Sequence, residues 1–322
     1  ITVEGMETVK GVNPPKAEET APAKKTPPPP PSMASQKPEQ ESRTASLPPI
    51  SYAPPSLPFF TSGYKKKVVI LPFENKTTYQ EEKIGEVASK RFSDKLEVTQ
   101  RAIIVNPTVV SETLKKQGGA FESLMDSSIM KLAHHAMGIQ AFVTGTVSDV
   151  SILSSKTSET TGEEVSFATA KVEVQLTDAS TGNLLRASIG RSPIFGTKEA
   201  GEYSRSKAVL KAIEFSLDDV LDGFLRTLDV LDWSTTIARI EGQRVYLNAG
   251  KLSGLRIGDV LEVYEPGKEI IHSKTKLSLG WTTGELKGAV KVMDLFGVDA
   301  AVGQVVEGKS VNINDVVKSA MR

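Results

Sequence analysis

Apolar and polar positions divide the chain into stretches of different period. Val68, Val69, Ile70 and Leu71 form an apolar run ended by Pro72, the pattern of a buried strand. Ile84, Val87, Ala88, Phe92 and Leu96 then recur at helical spacing on one face. Asn106 and Pro107 supply an N-cap and a first-turn proline for a helix carrying Val110 and Leu114. Asp126 is placed to cap a third helix with Ile129, Leu132, Ala133 and Met137, which Gly138 stops. Ala141 to Val147 reads as a strand. From Ala168 to Leu176, apolar Ala168, Ala170, Val172, Val174 and Leu176 alternate with Thr169, Lys171, Glu173 and Gln175, which predicts a strand with one wet face. Ser180-Thr181-Gly182-Asn183 makes a turn, and Leu184 to Ile189 returns as its hairpin partner. Val209, Ile213, Leu217, Val220, Phe224 and Leu228 mark a long amphipathic helix.

After Trp233 the period changes to strand and turn only. Thr236 to Ile240, Arg244 to Asn248, Val260 to Tyr264, Ala289 to Asp294, Ala300 to Val306 and Asp315 to Lys318 are punctuated by glycines, including Gly242, Gly250, Gly254, Gly258 and Gly297. Six short strands in this span predict a small β-barrel. In Gly254-Leu-Arg-Ile-Gly-Asp259, Gly258 can take a conformation closed to other residues, and Asp259 can fold its carboxylate back onto nearby amides.

The first stretch has neither period. Fourteen of the eighteen prolines lie between Pro14 and Pro58, among Lys, Glu, Ser, Gln and Ala. Such a segment buries too little apolar surface to offset ordering, so a disordered, polyproline-like arm is expected. At roughly 3.1 Å per residue its reach is on the order of 100 Å. Ile1 to Gly5 alternates like a short strand that could add to a partner's sheet edge. Expected divisions are therefore 1–63 for the arm, 64–233 for an α/β domain and 234–322 for the barrel.

Charge and composition narrow the function. Lys plus Arg and Asp plus Glu both number 39, so no basic face for nucleic acid is implied and repulsion between copies is absent. The chain has no cysteine, which removes disulfides, thiolate metal sites, cysteine nucleophiles and lipidation through cysteine. No run approaches the ~20 apolar residues of a membrane helix. The chain starts at Ile1, which a cleaved secretory signal or a trimmed start would explain.

Few residues suggest chemistry. Gly303 to Ser310 has the spacing of a phosphate-binding loop, yet Val305 and Val306 belong to a strand and only twelve residues follow. His134 and His135 are adjacent, so on a helix they diverge by about 100° and cannot share a metal; helix-face or surface positions are expected. His272 stands alone. Glu81-Glu82, Glu163-Glu164 and Asp218-Asp219 read as solvated pairs, and Lys65-Lys66-Lys67 as a soluble strand edge. No catalytic, cofactor-binding or metal-binding residue is assigned, and no enzyme activity is expected.

Two resemblances add to this. Val68-Val-Ile-Leu-Pro-Phe-Glu-Asn75, Ala141-Phe-Val-Thr-Gly-Thr-Val147, Ala170 to Gly182 and the long helix from Tyr203 resemble the periplasmic domain of the curli-secretion channel (CsgG-like) family and its TolB-N-like relatives. Channel members carry long membrane hairpins between these elements; here Val147 to Val165 and Ile189 to Tyr203 are short, which argues against a pore. Val245 to Gly250, Gly254 to Tyr264, Gly288 to Val292 and Asn314 to Val317 resemble the C-terminal domain of the flagellar assembly protein T family, in which a TolB-like middle domain precedes such a tail. That family's folded N-terminal domain is replaced here by the proline-rich arm.

The resemblance implies an α+β chain, with a TolB-N/CsgG-like sandwich followed by an SH3-like barrel. It also implies a periplasmic scaffold in a flagellar basal-body ring. The alternative is a soluble accessory or regulator of outer-membrane secretion or peptidoglycan synthesis. Expected partners are further copies of the chain in a ring and other envelope or flagellar motor proteins, close to peptidoglycan or the outer membrane, with no nucleic acid. Helix Tyr203 to Leu228 and the edge of strand Ala168 to Leu176 are the candidate contact surfaces.

Overall fold

The computed structural model describes residues 63–116, 123–156, 163–200, 202–275, 278–308 and 311–319. Every described residue belongs to one compact unit. The proline-rich arm and Ile1 to Gly5 lie outside the described residues.

In chain order the elements are β1 (Lys66–Ile70), β2 (Glu74–Asn75), α1 (Ile84–Thr99), β3 (Ala102–Val105), α2 (Pro107–Lys116), α3 (Ser127–Met137), β4 (Ile139–Lys156), β5 (Glu163–Asp178), β6 (Leu184–Arg191), β7 (Phe195–Ala200) and α4 (Glu202–Val230). Then follow β8 (Ser234–Glu241), β9 (Arg244–Leu247), β10 (Val260–Tyr264), β11 (Glu269–Ile271), β12 (Ser278–Trp281), β13 (Leu286–Phe296), β14 (Ala300–Gly308) and β15 (Val316–Ser319).

The first part is a mixed sheet in the order β3-β1-β4-β5-β6, with β2 added to β4 and β7 to β5. β1 runs parallel to β3 and β4, while β4, β5, β6 and β7 pair antiparallel. One face buries Val172, Val174 and Leu176 of β5 against α1 and α4, through Phe92, Ile213, Leu217 and Phe224. Phe92 meets Phe224 edge to face at 5.1 Å, a geometry aromatic quadrupoles favour. α2 and α3 cover part of the other face through Val110, Leu114, Met130 and Phe142. Over the remainder Lys171, Glu173 and Gln175 stay wet, so the alternation in β5 reads as expected.

The terminators also act as their residue types require. Asn106 accepts a hydrogen bond from the amide of Thr108 at 2.8 Å, and Gly138 closes α3 in the left-handed region, φ 68°. Asp126 holds the N-cap position of α3, but its side chain makes no capping bond. β2, β3 and β7 were not anticipated.

The second part is a closed barrel, β10-β13-β14-β9-β8-β15, around Ile237, Val245, Leu247, Leu261, Val263, Val290, Val292 and Val317. All six expected strands are present, and β11 and β12 add a two-stranded sheet. Gly258 has φ 98°, and Asp259 accepts the amide of Arg256 at 2.9 Å, which holds the turn into β10. The change of architecture falls between Val230 and Ser234, yet both parts pack as one unit.

Candidate functional site

The expected short, polar link from Val147 to Val165 is instead the far end of a long hairpin. β4 and β5 stay paired from Ala141↔Asp178 to Lys156↔Glu164, whereas β2 leaves β4 at Val147. β7 joins β5 over Glu163 to Ala168, inside the second span read as a short connection. Ser and Thr tolerate strand geometry once a partner satisfies the backbone, and Val150 and Ile152 pack against the core, so this segment continues as strand.

The result is a three-stranded end that projects past the rest of the sheet. Leu153 lies opposite Phe167, and Phe167 opposite Gly196. The Phe167 ring rests on Gly196, where a Cβ would come within 2.7 Å of it. Leu153 is 71 % exposed, Ile194 75 %, and Phe167 is also exposed. Among the described residues, β5 is the only strand paired with β7 or with residues 149–156 of β4. Among the described residues no further strand pairs with either outer edge, although the Ser204 hydroxyl donates to the Thr197 carbonyl of β7; a strand edge of this kind is the template on which another chain adds a strand. The end is anchored from beneath: Arg205 of α4 pairs with the buried Glu164 at 2.9 Å, Thr197 donates to Ser204, and Phe195 packs on Phe215.

The seam between sheet and barrel is held by polar groups. Lys67, expected at a soluble edge, is half of a buried ion pair with Asp299 at 2.9 Å and also donates to the carbonyl of Asn248. Asp299 accepts from the amides of Gly250 and Ser253 and from the Ser253 hydroxyl. Burial alone would raise the Asp299 carboxyl, but Ser253 and Lys67 outweigh it and hold the group below the ordinary carboxylate range. Lys66 is buried too, and burial pulls its ammonium below the usual lysine value. From the barrel, Thr236 donates to the carbonyl of His135 and Asn248 to that of Ala136, satisfying the open end of α3. Gln140 accepts the Lys67 amide and donates to the carbonyl of Ser234. Tyr64 packs on Trp233 at 4.8 Å.

Beside this seam lies a cavity of about 600 Å³. His134 and Asp178 line its sheet side, Leu231 the end of α4, and Tyr264, Glu265 and Lys318 the barrel side. The histidines, expected on a helix face or at the surface, lie on α3 at the junction, and His134 is 4 % exposed. Its Nδ1–H donates to the carbonyl of Ile139 at 2.7 Å. Burial depresses the affinity of both rings for a second proton.

Other singled-out residues do not converge. Gly303 to Gly308 lies in β14, with Gly303 closely packed on Val290, so no phosphate cradle forms; Lys309 and Ser310 are outside the described residues. His272 accepts the amide of Thr275. Of the acid pairs, Glu164 is buried rather than solvated, Asp218 pairs with Lys95, and Asp219 accepts the amide of Arg191. β5 is flanked by β4 on one side and β6 and β7 on the other, so it has no free edge to offer. Helix α4 spends its apolar face on the core. Sequence reasoning missed Asp299, Gln140 and Asn248, whose partners are distant in the chain and leave no local signal.

No family model matches the chain, and no curated protein matches it. Solved structures show local likeness. The lipoprotein GNA1162 from Neisseria meningitidis aligns over 50 % of this chain and 99 % of its own, at 16 % identity and TM-score 0.32. The hypothetical protein CT253 from Chlamydia trachomatis aligns over 52 % and 98 %, at 10 % identity and TM-score 0.31. The C-terminal domain of LpoB from Escherichia coli aligns over 40 % and 84 %, at 12 % identity and TM-score 0.30. Likeness at this level defines neither a shared activity nor a shared partner. No helix among the described residues is long and apolar enough to cross a membrane.

Proposed function

We propose that this chain is a non-catalytic scaffold of the bacterial envelope that works through protein–protein contacts made by the projecting end of β4, β5 and β7. The observation that carries the proposal is the pair of outer strand edges, joined by no further strand among the described residues, that flank exposed Leu153 and Phe167. A second copy of the chain is the occupant proposed, because zero net charge leaves copies free to approach and a sheet with two open edges can add a neighbour on each side. Such head-to-tail addition closes into a ring when the rotation per copy permits. The resemblance to TolB-N and CsgG-like domains, the SH3-like description of the barrel, the periplasmic location and the flagellar basal-body role belong to the same proposal. An accessory of secretion or peptidoglycan synthesis would use the same surface, and loss of motility on gene deletion separates the two.

The test is sedimentation velocity on the full chain across a hundredfold concentration range. The wild type should assemble, and Leu153→Lys with Phe167→Glu should remain monomeric with an unchanged circular dichroism spectrum. A wild type that stays monomeric throughout would overturn the self-assembly reading.

A further inference from the structure

The cavity at the junction has a chemistry of its own. Asp178 is 9 % exposed and lines it, and among the described residues no cation lies within ion-pairing distance of its carboxylate. Its oxygens accept from the Ser180 amide at 2.9 Å, the Ser180 hydroxyl at 2.9 and 3.0 Å, and the Thr181 hydroxyl at 2.8 Å. These are neutral donors, so they satisfy the lone pairs and leave the charge uncompensated. A buried charge without a counter-charge is costly, and it creates a field that favours a cation in the space beside it.

The neighbouring groups are acceptors as well. Ser180 and Thr181 spend their protons on Asp178, so neither hydroxyl is left as a donor, and the Thr181 oxygen also accepts the Asn183 amide at 3.1 Å. His134 spends its one proton on the carbonyl of Ile139, which leaves Nε2 with a lone pair, and the neighbouring His135 Nδ1 is buried without a partner among the described residues. Gln140 is engaged at both ends of its amide, through its oxygen and one of its two N–H groups. Asp232 and Glu265 add two exposed carboxylates at the rim, and each faces an ammonium: Lys318 stands 3.8 Å from Asp232 and Lys287 3.9 Å from Glu265. Within the wall, Asp178 is the buried carboxylate that has no cation beside it among the described residues.

We propose that this cavity binds a guanidinium or primary ammonium group, with Asp178 as counter-charge and His134 Nε2 as hydrogen-bond acceptor. An anionic ligand would meet the buried Asp178 carboxylate, and a ligand without N–H or O–H donors would leave the acceptors unpaired. The two sources of such a group are a free small amine and an arginine or lysine side chain of a polypeptide. This inference stands apart from the scaffold reading, which rests on the opposite stretch of β4 and β5.

The test is nitrogen-detected NMR of the His134 imidazole in the full chain, titrated with agmatine and with the blocked tripeptide acetyl-Gly-Arg-Gly-amide. The blocked citrulline tripeptide, of similar shape but uncharged, serves as control. The expected result is a saturable shift of Nε2 with the cationic probes and at least tenfold weaker binding of the citrulline probe. Saturation by agmatine alone assigns the site to a free amine; saturation by both probes assigns it to a side chain as well. Asp178→Asn should weaken binding at least tenfold. Since that change also touches the 180–183 turn, Leu185→Trp, which adds volume at another lining position and keeps Asp178, should weaken it as well. Lys318→Met should tighten binding by removing the competing cation. No shift with either cationic probe, equal binding of the citrulline probe, or shifts that persist in Leu185→Trp would overturn the proposal.

Discussion

Replacing Lys67 with Met removes the cation from the seam between sheet and barrel while keeping most of its aliphatic volume. In the wild type the Lys67 and Asp299 side chains are only 13 % and 9 % exposed and lie 2.9 Å apart. The variant leaves Asp299 buried and charged, and it also forfeits the 2.6 Å bond from Lys67 to the carbonyl of Asn248. Breaking a buried pair from one side costs about 3–5 kcal/mol. Three bonds from Gly250 and Ser253 remain on Asp299, which places the expected loss near the lower end, about 3 kcal/mol. For a unit with a stability of ~5–15 kcal/mol this is a large fraction.

Equilibrium urea unfolding by far-ultraviolet circular dichroism measures the loss, and fluorescence of a Trp281→Phe background isolates Trp233 as a reporter of the seam. The pH dependence supplies a second reading. In the wild type the Asp299 carboxyl is held below its unfolded value near 3.9. Its contribution is therefore complete above about pH 4 and declines as the pH falls through the folded value. In Lys67→Met the carboxyl loses its partner and its folded value rises, so protonation relieves the penalty and the difference between the proteins shrinks on acidification. Lys67→Met combined with Asp299→Asn should cost less than the sum of the single changes, with a coupling of at least about 1 kcal/mol. A loss below about 1 kcal/mol, or strict additivity, would refute the assignment of this pair as the seam's main polar tie.

Further outcomes follow from the same packing. Burial holds His134 and His135 neutral, so the unfolded chain takes up more protons below about pH 6.5 and stability should fall from pH 7 to 5, by up to ~1.4 kcal/mol per pH unit for each ring; a flat urea midpoint over this range would contradict it. A Cβ at Gly190 would lie 1.9 Å from the carbonyl oxygen of Ser216 in α4, so Gly190→Ala should cost about 3 kcal/mol by forcing β6 off the helix; a calorimetric Tm within a degree of wild type would count against this close approach. Gln100 closes α1 at φ 57°, where an L side chain is strained, so Gln100→Gly should stabilise by about 1 kcal/mol, read as a higher Tm.

Local pattern determined the elements whose neighbours merely confirm them. The alternation in β5, the stripes of α1 and α4, the Asn106 cap, the Gly138 stop and the six barrel strands are each set by the residue's own side chain and the two or three beside it. A period of 2 or 3.6 needs only one apolar surface to face, whichever surface that is. Tertiary structure decided the rest. Whether Ser151 to Ser155 forms a strand depends on β5 arriving to pair with it, because the segment itself is too polar to declare a buried face. Lys66 and Lys67 read as solvent-facing because charge is costly to bury; only Asp299, more than two hundred residues on, and carbonyls from α4 and the barrel make their burial tolerable. His134 and Asp178 follow the same logic. Their lone pairs and charge are unremarkable in the sequence and gain a chemistry when the barrel closes over them and leaves a cavity at the junction.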